Sequence, residues 1–304
     1  MPSLKDLKVR IKSVKSTQKI TKAMKVVAAA KLARARAAAE SSRPYAVAME
    51  GMVTRLAAAA SGQANLPKLL VGTGADKVEL LIVVTADRGL SGAFNSSIVR
   101  AARKYIREQL TAGKSIKLYC IGRKGRDWLG EYKHLMIGSR TDLAKTASYS
   151  VAESIADEIF ADMQATGTDR ISLVYNQFKS VISQVVTFQQ LMPLDRRAAK
   201  SSALAPVPDR RAPLMPYEYE PSEEEILADL LPRNFAMQIF SALQIFSALL
   251  ENNAGFYGAQ MNAMENATKN AGEMIKKLTL KYNRTRQANI TKELIEIISG
   301  AEAI

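Results

Sequence analysis

The chain has 304 residues, 47% hydrophobic and 24% charged, which is ordinary for a globular protein of one or two domains. One cysteine, Cys120, and one histidine, His134, exclude a disulfide framework and any zinc site built from several thiolates or imidazoles. The net charge of +14 calls for an anionic partner: nucleic acid, an anionic membrane face or an acidic protein surface.

Residues 1–60 predict one long helix. Strong helix formers run from Ser3 to about Ala57, and Pro44 is expected to kink or break the helix because it lacks an amide hydrogen. A stripe of residues three and four apart is typical of a coiled-coil seam. Its members are Leu4, Leu7, Ile11, Val14, Gln18 and Thr21. Residues 1–60 are therefore interpreted as the N-terminal coiled-coil helix.

A second stripe, displaced from the first by one residue, consists of lysines with the same spacing. This lysine ladder is Lys5, Lys8, Lys12, Lys15, Lys19 and Lys22. Residues 1–57 hold 13 basic side chains and only 3 acidic ones, so most of the net charge lies on this helix. The ladder is either a solvated helix face or a binding surface for an anionic partner, and both interpretations stay open.

Residues 75–192 predict an α/β domain. Continuous apolar runs at 77–85, 115–122 and 170–175 are typical of strands buried on both faces. Helical segments at 95–110 and 146–163 alternate with these strands, which favours a parallel sheet. The alternating segment 183–191 is expected to add an edge strand.

The last part of the chain predicts a connection and a second long helix. Six of the ten prolines fall between Pro193 and Pro221, so residues 193–222 are interpreted as an irregular connection. Residues 223–304 are interpreted as the C-terminal coiled-coil helix, with a stripe formed by Ala271, Ile275, Leu278 and Tyr282. Because a compact domain separates the two terminal helices, we expect them to pair antiparallel.

A hexapeptide in the C-terminal helix occurs twice in tandem, as Gln238–Leu243 and Gln244–Leu249. Six residues rotate a helix by about 600°, which shifts any stripe beyond them out of phase. The repeat is therefore expected near the end of the helix that adjoins the α/β domain, before Asn252, with residues after about Gln260 pairing with the N-terminal helix.

No candidate active site emerges from the motifs. The segment Asp87–Gly92 follows the first strand, where parallel sheets bind ligands, but the favoured interpretation is a glycine-rich turn in which Asp87 pairs with Arg88. The sequence Gly113-Lys114-Ser115 precedes a strand, unlike the end of a phosphate-binding loop. His134 lies in a polar stretch. The sequence therefore predicts no enzyme, no cofactor and no metal; an enzyme that uses the Asp87 turn is a distant alternative.

Three segments resemble the gamma subunits of F-type ATP synthases: Lys15–Lys31, Thr85–Asn95 and Asn283–Glu302. The likeness extends over essentially the whole chain. It implies an α/β fold class in which a long antiparallel coiled coil of the N- and C-terminal helices carries an inserted Rossmann-like α/β domain. It also implies a non-catalytic rotor subunit of the central stalk, which couples ion-driven ring rotation to ATP synthesis or hydrolysis at alpha/beta sites.

The resemblance further implies partners and contact residues. The partners are the alpha and beta subunits, an epsilon-type stalk subunit (delta and epsilon in mitochondria) and the membrane rotor ring, with no nucleic acid. Met24, Arg284, Arg286 and Gln287 match family positions that contact loops of the beta subunits. From charge alone, the lysine ladder is expected to face acidic beta-subunit loops.

Cellular location and one alternative function complete the interpretation. Met1 leads almost at once into the family's helix, so we expect no organelle presequence and a peripheral position on the cytoplasmic face of a bacterial inner membrane. The matrix face of the mitochondrial inner membrane is the alternative. The competing function is a basic coiled-coil protein that binds nucleic acid through its lysine ladder, and such binding weakens steeply with salt.

Overall fold

A computed structural model describes residues 3–59, 75–142, 148–193 and 235–302. Most of the predicted connection 193–222, and the start of the predicted C-terminal helix, lie outside the described residues. In chain order the elements are α1 (Leu4–Ala59), β1 (Val78–Val84), α2 (Phe94–Thr111), β2 (Ser115–Ile121), α3 (Arg123–Trp128), a 3-10 helix (Gly130–Leu135), β3 (Met136–Arg140), α4 (Tyr149–Thr166), β4 (Arg170–Phe178), β5 (Gln184–Met192) and α5 (Phe235–Glu302).

The chain divides into two compact units. The helix-pair unit consists of Met1–Lys31 and Gln260–Ile304, and the α/β unit consists of Leu32–Ala259. Helices α1 and α5 each contribute residues to both units. The mixed α/β class with two long terminal helices, expected from the sequence, is confirmed.

The α/β unit contains one five-stranded sheet in the order β3-β2-β1-β4-β5. The first four strands in that order are parallel, and β5 pairs antiparallel with β4 at the edge. The three buried strands and the edge strand expected from the sequence are confirmed. The prediction lacked β3 and α3, because a five-residue strand and a six-residue helix show too little periodicity to be recognised.

Alternate residues of β1 face two separate layers of helices. Leu80, Ile82 and Val84 pack with α4 and the first part of α5. Leu81 and Val83 pack with α2 on the opposite face. Successive side chains of a strand point to opposite faces, so a continuous apolar run is what a strand covered on both sides requires.

Of the kink or break expected at Pro44, the break is excluded, because one helix runs from Leu4 to Ala59. Proline removes only the hydrogen bond to the carbonyl of Glu40, four residues earlier, at a cost of about 3 kcal/mol in a helix interior. The residue before it, Arg43, donates two hydrogen bonds to Glu251 of α5. That tertiary contact holds α1 in place beside the proline and offsets part of the local cost.

The tandem hexapeptide lies where α5 packs against the sheet, before Asn252, as predicted. The two copies have different surroundings, because about 600° of rotation separates equivalent residues. Phe240 is buried in the core, whereas Phe246 packs partly against it. The ring of Phe246 meets that of Tyr149 edge to face, with 6.3 Å between the ring centroids.

Gly122, directly after β2, generates a prediction about stability. Its φ is +95°, and a Cβ there would lie 2.3 Å from the carbonyl oxygen of Thr85. We expect Gly122→Ala to lower the free energy of unfolding by about 3 kcal/mol or more, because backbone strain and steric overlap act together. Denaturant unfolding of the purified chain measures the loss.

The matched control is Gly113→Ala. Gly113 has a φ of +77°, but a Cβ there would meet nothing within 4 Å. We therefore expect only the backbone cost, about 1 kcal/mol. Equal losses in the two variants would show that the overlap with Thr85 contributes nothing.

Candidate partner-binding surface

In the helix-pair unit, α1 and α5 run antiparallel. The Thr268 hydroxyl donates a hydrogen bond to that of Thr21 at 2.8 Å, and the Lys25 Nζ lies 2.8 Å from Glu265 Oε1. The amide of Gln18 donates to the carbonyl of Thr268 at 3.4 Å. Residue numbers rise along α1 (18, 21 and 25) where those of their contacts fall along α5 (268 and 265), so the two helices are antiparallel. The prediction that residues after Gln260 pair with the N-terminal helix is therefore confirmed.

The seam of this pair combines apolar and polar side chains. Leu7, Ala28 and Met264 are buried, and so are Thr21 and Ala271. The helices approach closely at one glycine, Gly272, where a Cβ would lie 3.0 Å from the Gln18 amide nitrogen. The stripe predicted from the spacing of residues is therefore the surface that α1 turns toward α5.

The lysine ladder lies outside the seam. All six of its side chains are exposed, and within the described residues none of them forms an ion pair. Lys25, three residues after the last member of the ladder, is half-buried and is neutralised by Glu265. The ladder is thus an unneutralised row of positive charge, with steps of about 4.5–6 Å along the helix.

The predicted contact residues lie at two separate levels. Met24 is half-buried beside the seam, next to the Lys25 contact with Glu265, whereas Arg284, Arg286 and Gln287 are exposed. About 20 residues of helix, or roughly 30 Å, separate Glu265 from Arg286. Arg284, Arg286 and Gln287 lie within about one turn of α5, and the structure does not place Met24 near them.

Helix α5 extends beyond the start of its partner. Ser3 caps α1: its amide donates to Asp6 Oδ2 at 3.1 Å, and the Asp6 amide donates to the Ser3 hydroxyl at 3.2 Å. Hydrogen bonds with Ser3 also lower the pKa of Asp6. The register of the pair places Leu4 level with about Thr285. Thr285 is half-buried, and all side chains in 286–299 are exposed.

We call residues 286–299 the tip. It carries large apolar side chains, and the exposed fraction is 48% for Ile290, 53% for Leu294 and 68% for Ile297. Their spacing of four and three places them on one face of the helix. Exposed apolar side chains that share one helix face are typical of surfaces that bind a protein or a membrane.

Helix α5 fills the crevice where a parallel sheet would bind a ligand. Leu249, Asn252 and Asn253 of α5 close over the loops after β1 and β2, and the cavity that remains has a volume of about 10 Å³. That is room for one water molecule at most. The Asp87 turn therefore has no space for a nucleotide, which counts against the enzyme alternative.

The predicted pairing of Asp87 with Arg88 is wrong. Asp87 Oδ1 instead accepts a hydrogen bond from the Arg123 amide at 2.9 Å. Asn95 braces the turn by accepting from the Ala86 amide and donating to the Arg88 carbonyl. The turn is a structural one, as favoured from the sequence, but its partners come from later in the chain.

Other reactive groups serve the fold. Lys114, of the Gly-Lys-Ser sequence, forms an ion pair with Asp76 at 2.6 Å. Burial raises the pKa of the Cys120 thiol to about 12. Within the described ranges, no three metal-ligating side chains cluster and no helix is both long and apolar enough to cross a bilayer.

Sequence reasoning missed the buried charge of α5. Glu251 is 4% exposed and binds Arg43 of α1 through its Oε1, at 2.7 and 3.1 Å. The signal was that Glu251 is the only charged residue in the helical segment 235–256, which is largely apolar. A charge among apolar residues needs a buried partner, but nothing local identifies Arg43 as that partner.

The fold and the surface together define a class of protein. Two terminal helices pair antiparallel, an α/β domain lies between them in the sequence, and its ligand crevice is occupied by the chain itself. Among the described residues of the helix pair, a basic helix face and an apolar tip are exposed. This is a subunit that works through contacts with other proteins.

Comparisons with known proteins identify the family. A family model described as ATP synthase matches residues 3–304. The ATP synthase gamma chain of Rhodopseudomonas palustris strain TIE-1 is 55% identical, and that of Bradyrhizobium sp. strain ORS 278 is 54% identical, each over the full length of both chains. The chain belongs to the ATP synthase gamma chain family.

Solved structures show the same fold. A chain of the Tetrahymena thermophila mitochondrial ATP synthase central stalk and c-ring is 29% identical, with 82% of this chain and 99% of that chain covered and a TM-score of 0.58. A chain of the Euglena gracilis mitochondrial ATP synthase rotor is 20% identical, with 94% and 98% covered and a TM-score of 0.63.

Cys120 generates a prediction about reactivity. Only the thiolate attacks alkylating reagents, and a pKa near 12 leaves almost no thiolate at pH 8. We expect iodoacetamide to leave the native chain unlabelled at pH 8 and to label it fully after denaturation. His134→Cys, at an exposed position, serves as the control and should be labelled in the native state; rapid native labelling of Cys120 would contradict its burial.

Proposed function

We propose that this chain is the rotor subunit of the central stalk of an F-type ATP synthase, and that it is not itself catalytic. The observation that carries the proposal is the antiparallel helix pair with a basic face and an unpaired tip, in a chain of the gamma family. Residues 1–60 and 223–304 form the shaft in this proposal. Residues 75–192 form the foot, joined to the second shaft helix through 193–222.

The proposed partners are the alpha and beta subunits around the shaft, and an epsilon-type stalk subunit and the membrane ring at the foot. The Tetrahymena neighbour comes from a central stalk with its c-ring, which supports the ring as a partner. The relatives from Rhodopseudomonas and Bradyrhizobium support a bacterial setting, on the cytoplasmic face of the inner membrane. In the mitochondrial alternative the subunit lies on the matrix face.

The lysine ladder is proposed to face acidic loops of the beta subunits. Exposed ion pairs each contribute about 0–1 kcal/mol, so single contacts break at little cost. Six similar charges in a row allow a lost contact to be replaced by a neighbouring one. A shaft that turns within a ring of subunits needs contacts of this exchangeable kind.

The tip is proposed to insert among the alpha and beta subunits. Its exposed apolar face, Ile290, Leu294 and Ile297, gains about 25 cal/mol for each Å² that partners remove from water. Apolar contact has no directional preference. The tip can therefore be held on its axis while it rotates.

Rotation of the shaft would act on the catalytic subunits through differential contact. Each shaft angle presents the ladder and the tip to a different subunit, and it stabilises the conformation that contacts them best. A ligand or partner shifts a conformational equilibrium only by its difference in affinity for the two states. The nucleotide affinity of each catalytic site then depends on the shaft angle. This dependence is the free-energy coupling between the catalytic sites and the rotor.

The test of the whole proposal is purification of the native complex. Affinity-tagged chain, isolated from membranes, should carry alpha and beta subunits identified by mass spectrometry. The nucleic-acid alternative predicts instead a nucleic acid that is released by raised salt. Absence of alpha and beta subunits would remove the rotor assignment.

Met24 generates a prediction about coupling. Its flexible thioether adapts to a changing partner, so Met24→Leu should alter little. Met24→Lys adds a charge that must be desolvated or paired, and we expect it to lower ATP-driven proton pumping severalfold relative to ATP hydrolysis. Pumping and hydrolysis are measured on the same membrane vesicles. Unchanged coupling in the lysine variant would remove Met24 from the contact surface.

Arg286 and Gln287 generate a second prediction about turnover. They are adjacent and exposed, so they can straddle one acidic loop, the arginine by a forked bond to carboxylate and the glutamine by its amide. Their double substitution by alanine should lower steady-state ATPase activity of the assembled complex. Stability of the chain should change by less than about 0.5 kcal/mol, because exposed polar truncations are mild.

The matched control replaces Lys269 and Asn270, an adjacent exposed pair of one cation and one amide on the same helix, by alanine. Assembly is quantified by gel filtration before activity is compared. Normal turnover of a fully assembled Arg286 and Gln287 double variant would exclude these residues from the functional surface. Equal losses in both double variants would indicate a general effect of charge.

A further inference from the structure

Glu251 is a buried carboxylate whose two oxygens have partners on different elements. Arg43 of α1 donates to Oε1 from Nη2 at 2.7 Å and from Nε at 3.1 Å. The backbone amide of Phe178, the last residue of β4, donates to Oε2 at 3.0 Å. One side chain of α5 therefore binds both the other long helix and the sheet.

These bonds differ in kind from the packing around them. Apolar contact between α5 and the sheet resists separation but has no preferred direction. Charge-assisted hydrogen bonds are short and directional, and an arginine pair adds geometric specificity. Turning α5 about its own axis would move the carboxylate away from both donors, so these bonds resist a twist that apolar packing tolerates.

We propose that Glu251 is a positioning residue that fastens both shaft helices to the foot, so that a twist of the sheet turns α1 and α5 together. This inference rests on the rotor function proposed above. The residue makes no contact with the lysine ladder or the tip, and it acts through Arg43 and Phe178. Its loss should make the shaft yield under load while the chain still folds and assembles.

Three variants separate this role from simple stability. Glu251→Gln keeps the shape and an acceptor for the Phe178 amide but removes the charge that holds Arg43. Arg43→Lys keeps the positive charge but loses the paired donors. The control is Glu40→Gln, which removes the carboxylate that Arg36 binds at 2.7 Å, three residues from Arg43 but within α1 alone.

The experiment uses the complete complex with alpha and beta subunits immobilised. A bead on His134→Cys, in the α/β unit, reports the angular fluctuation of the foot against the held shaft. We expect Glu251→Gln and Arg43→Lys to raise the angular variance at least about twofold, because neither variant keeps the forked, charge-assisted bonds between Arg43 and Glu251. Proton pumping against a gradient should fall, while unloaded ATP hydrolysis stays near wild type. Glu40→Gln should match the wild type in all three measurements.

The possible outcomes are distinct. Wild-type variance and pumping in assembled Glu251→Gln and Arg43→Lys complexes would overturn the proposal. If the Glu251→Gln chain fails to assemble, the measurements on the Arg43→Lys complex test the proposal. If both variants fail to assemble, Glu251 is needed for folding, and the positioning proposal is overturned. A chain that never copurifies with alpha and beta subunits would instead overturn the rotor function.

Discussion

Helix α5 packs over the carboxyl ends of the parallel strands, where Gly255 lets it approach the sheet. A Cβ at that position would lie 3.0 Å from the ring of Phe94 and 3.7 Å from the carbonyl oxygen of Asn176. One residue further, the ring of Phe256 meets Phe94 edge to face. In the preceding turns of the same helix, Leu249, Asn252 and Asn253 cover the loops after β1 and β2, where an open parallel sheet would bind a nucleotide. Within the described α/β unit, the crevice at this edge of the sheet is therefore filled by the chain's own helix.

Polar groups set the register of the helix pair. An apolar seam alone tolerates a slip of one helix along the other, whereas a polar pair at a seam position specifies one alignment. Thr21 and Thr268 form such a pair, and Lys25 with Glu265 adds a charged contact beside it. A few hydrogen bonds therefore fix where the ladder on α1 lies relative to the tip on α5. Most of the side chains buried in the seam are nevertheless apolar.

The features that could be predicted from the sequence are those with a local signature. The apolar run of β1 and the spacing of the seam each follow from a period that neighbouring residues display. The partner of Asp87 was misjudged because it lies far along the chain, at the amide of Arg123. That the helix continues through Pro44 also could not be predicted locally, because Arg43 beside the proline binds the distant Glu251. Buried polar pairs join residues that lie far apart in sequence, so no periodicity identifies them. The assignment of Met24 to a partner contact stays a prediction for the same reason.

The exposed apolar face of the tip has a consequence for the life of the chain before assembly. Such a surface associates with whatever apolar surface is available, including other copies of itself. A chain without partners is therefore a substrate for chaperones and proteases, and binding to its partners protects it by mass action. We therefore expect the amount of this subunit in a cell to follow the amount of its partners, with chains made in excess degraded.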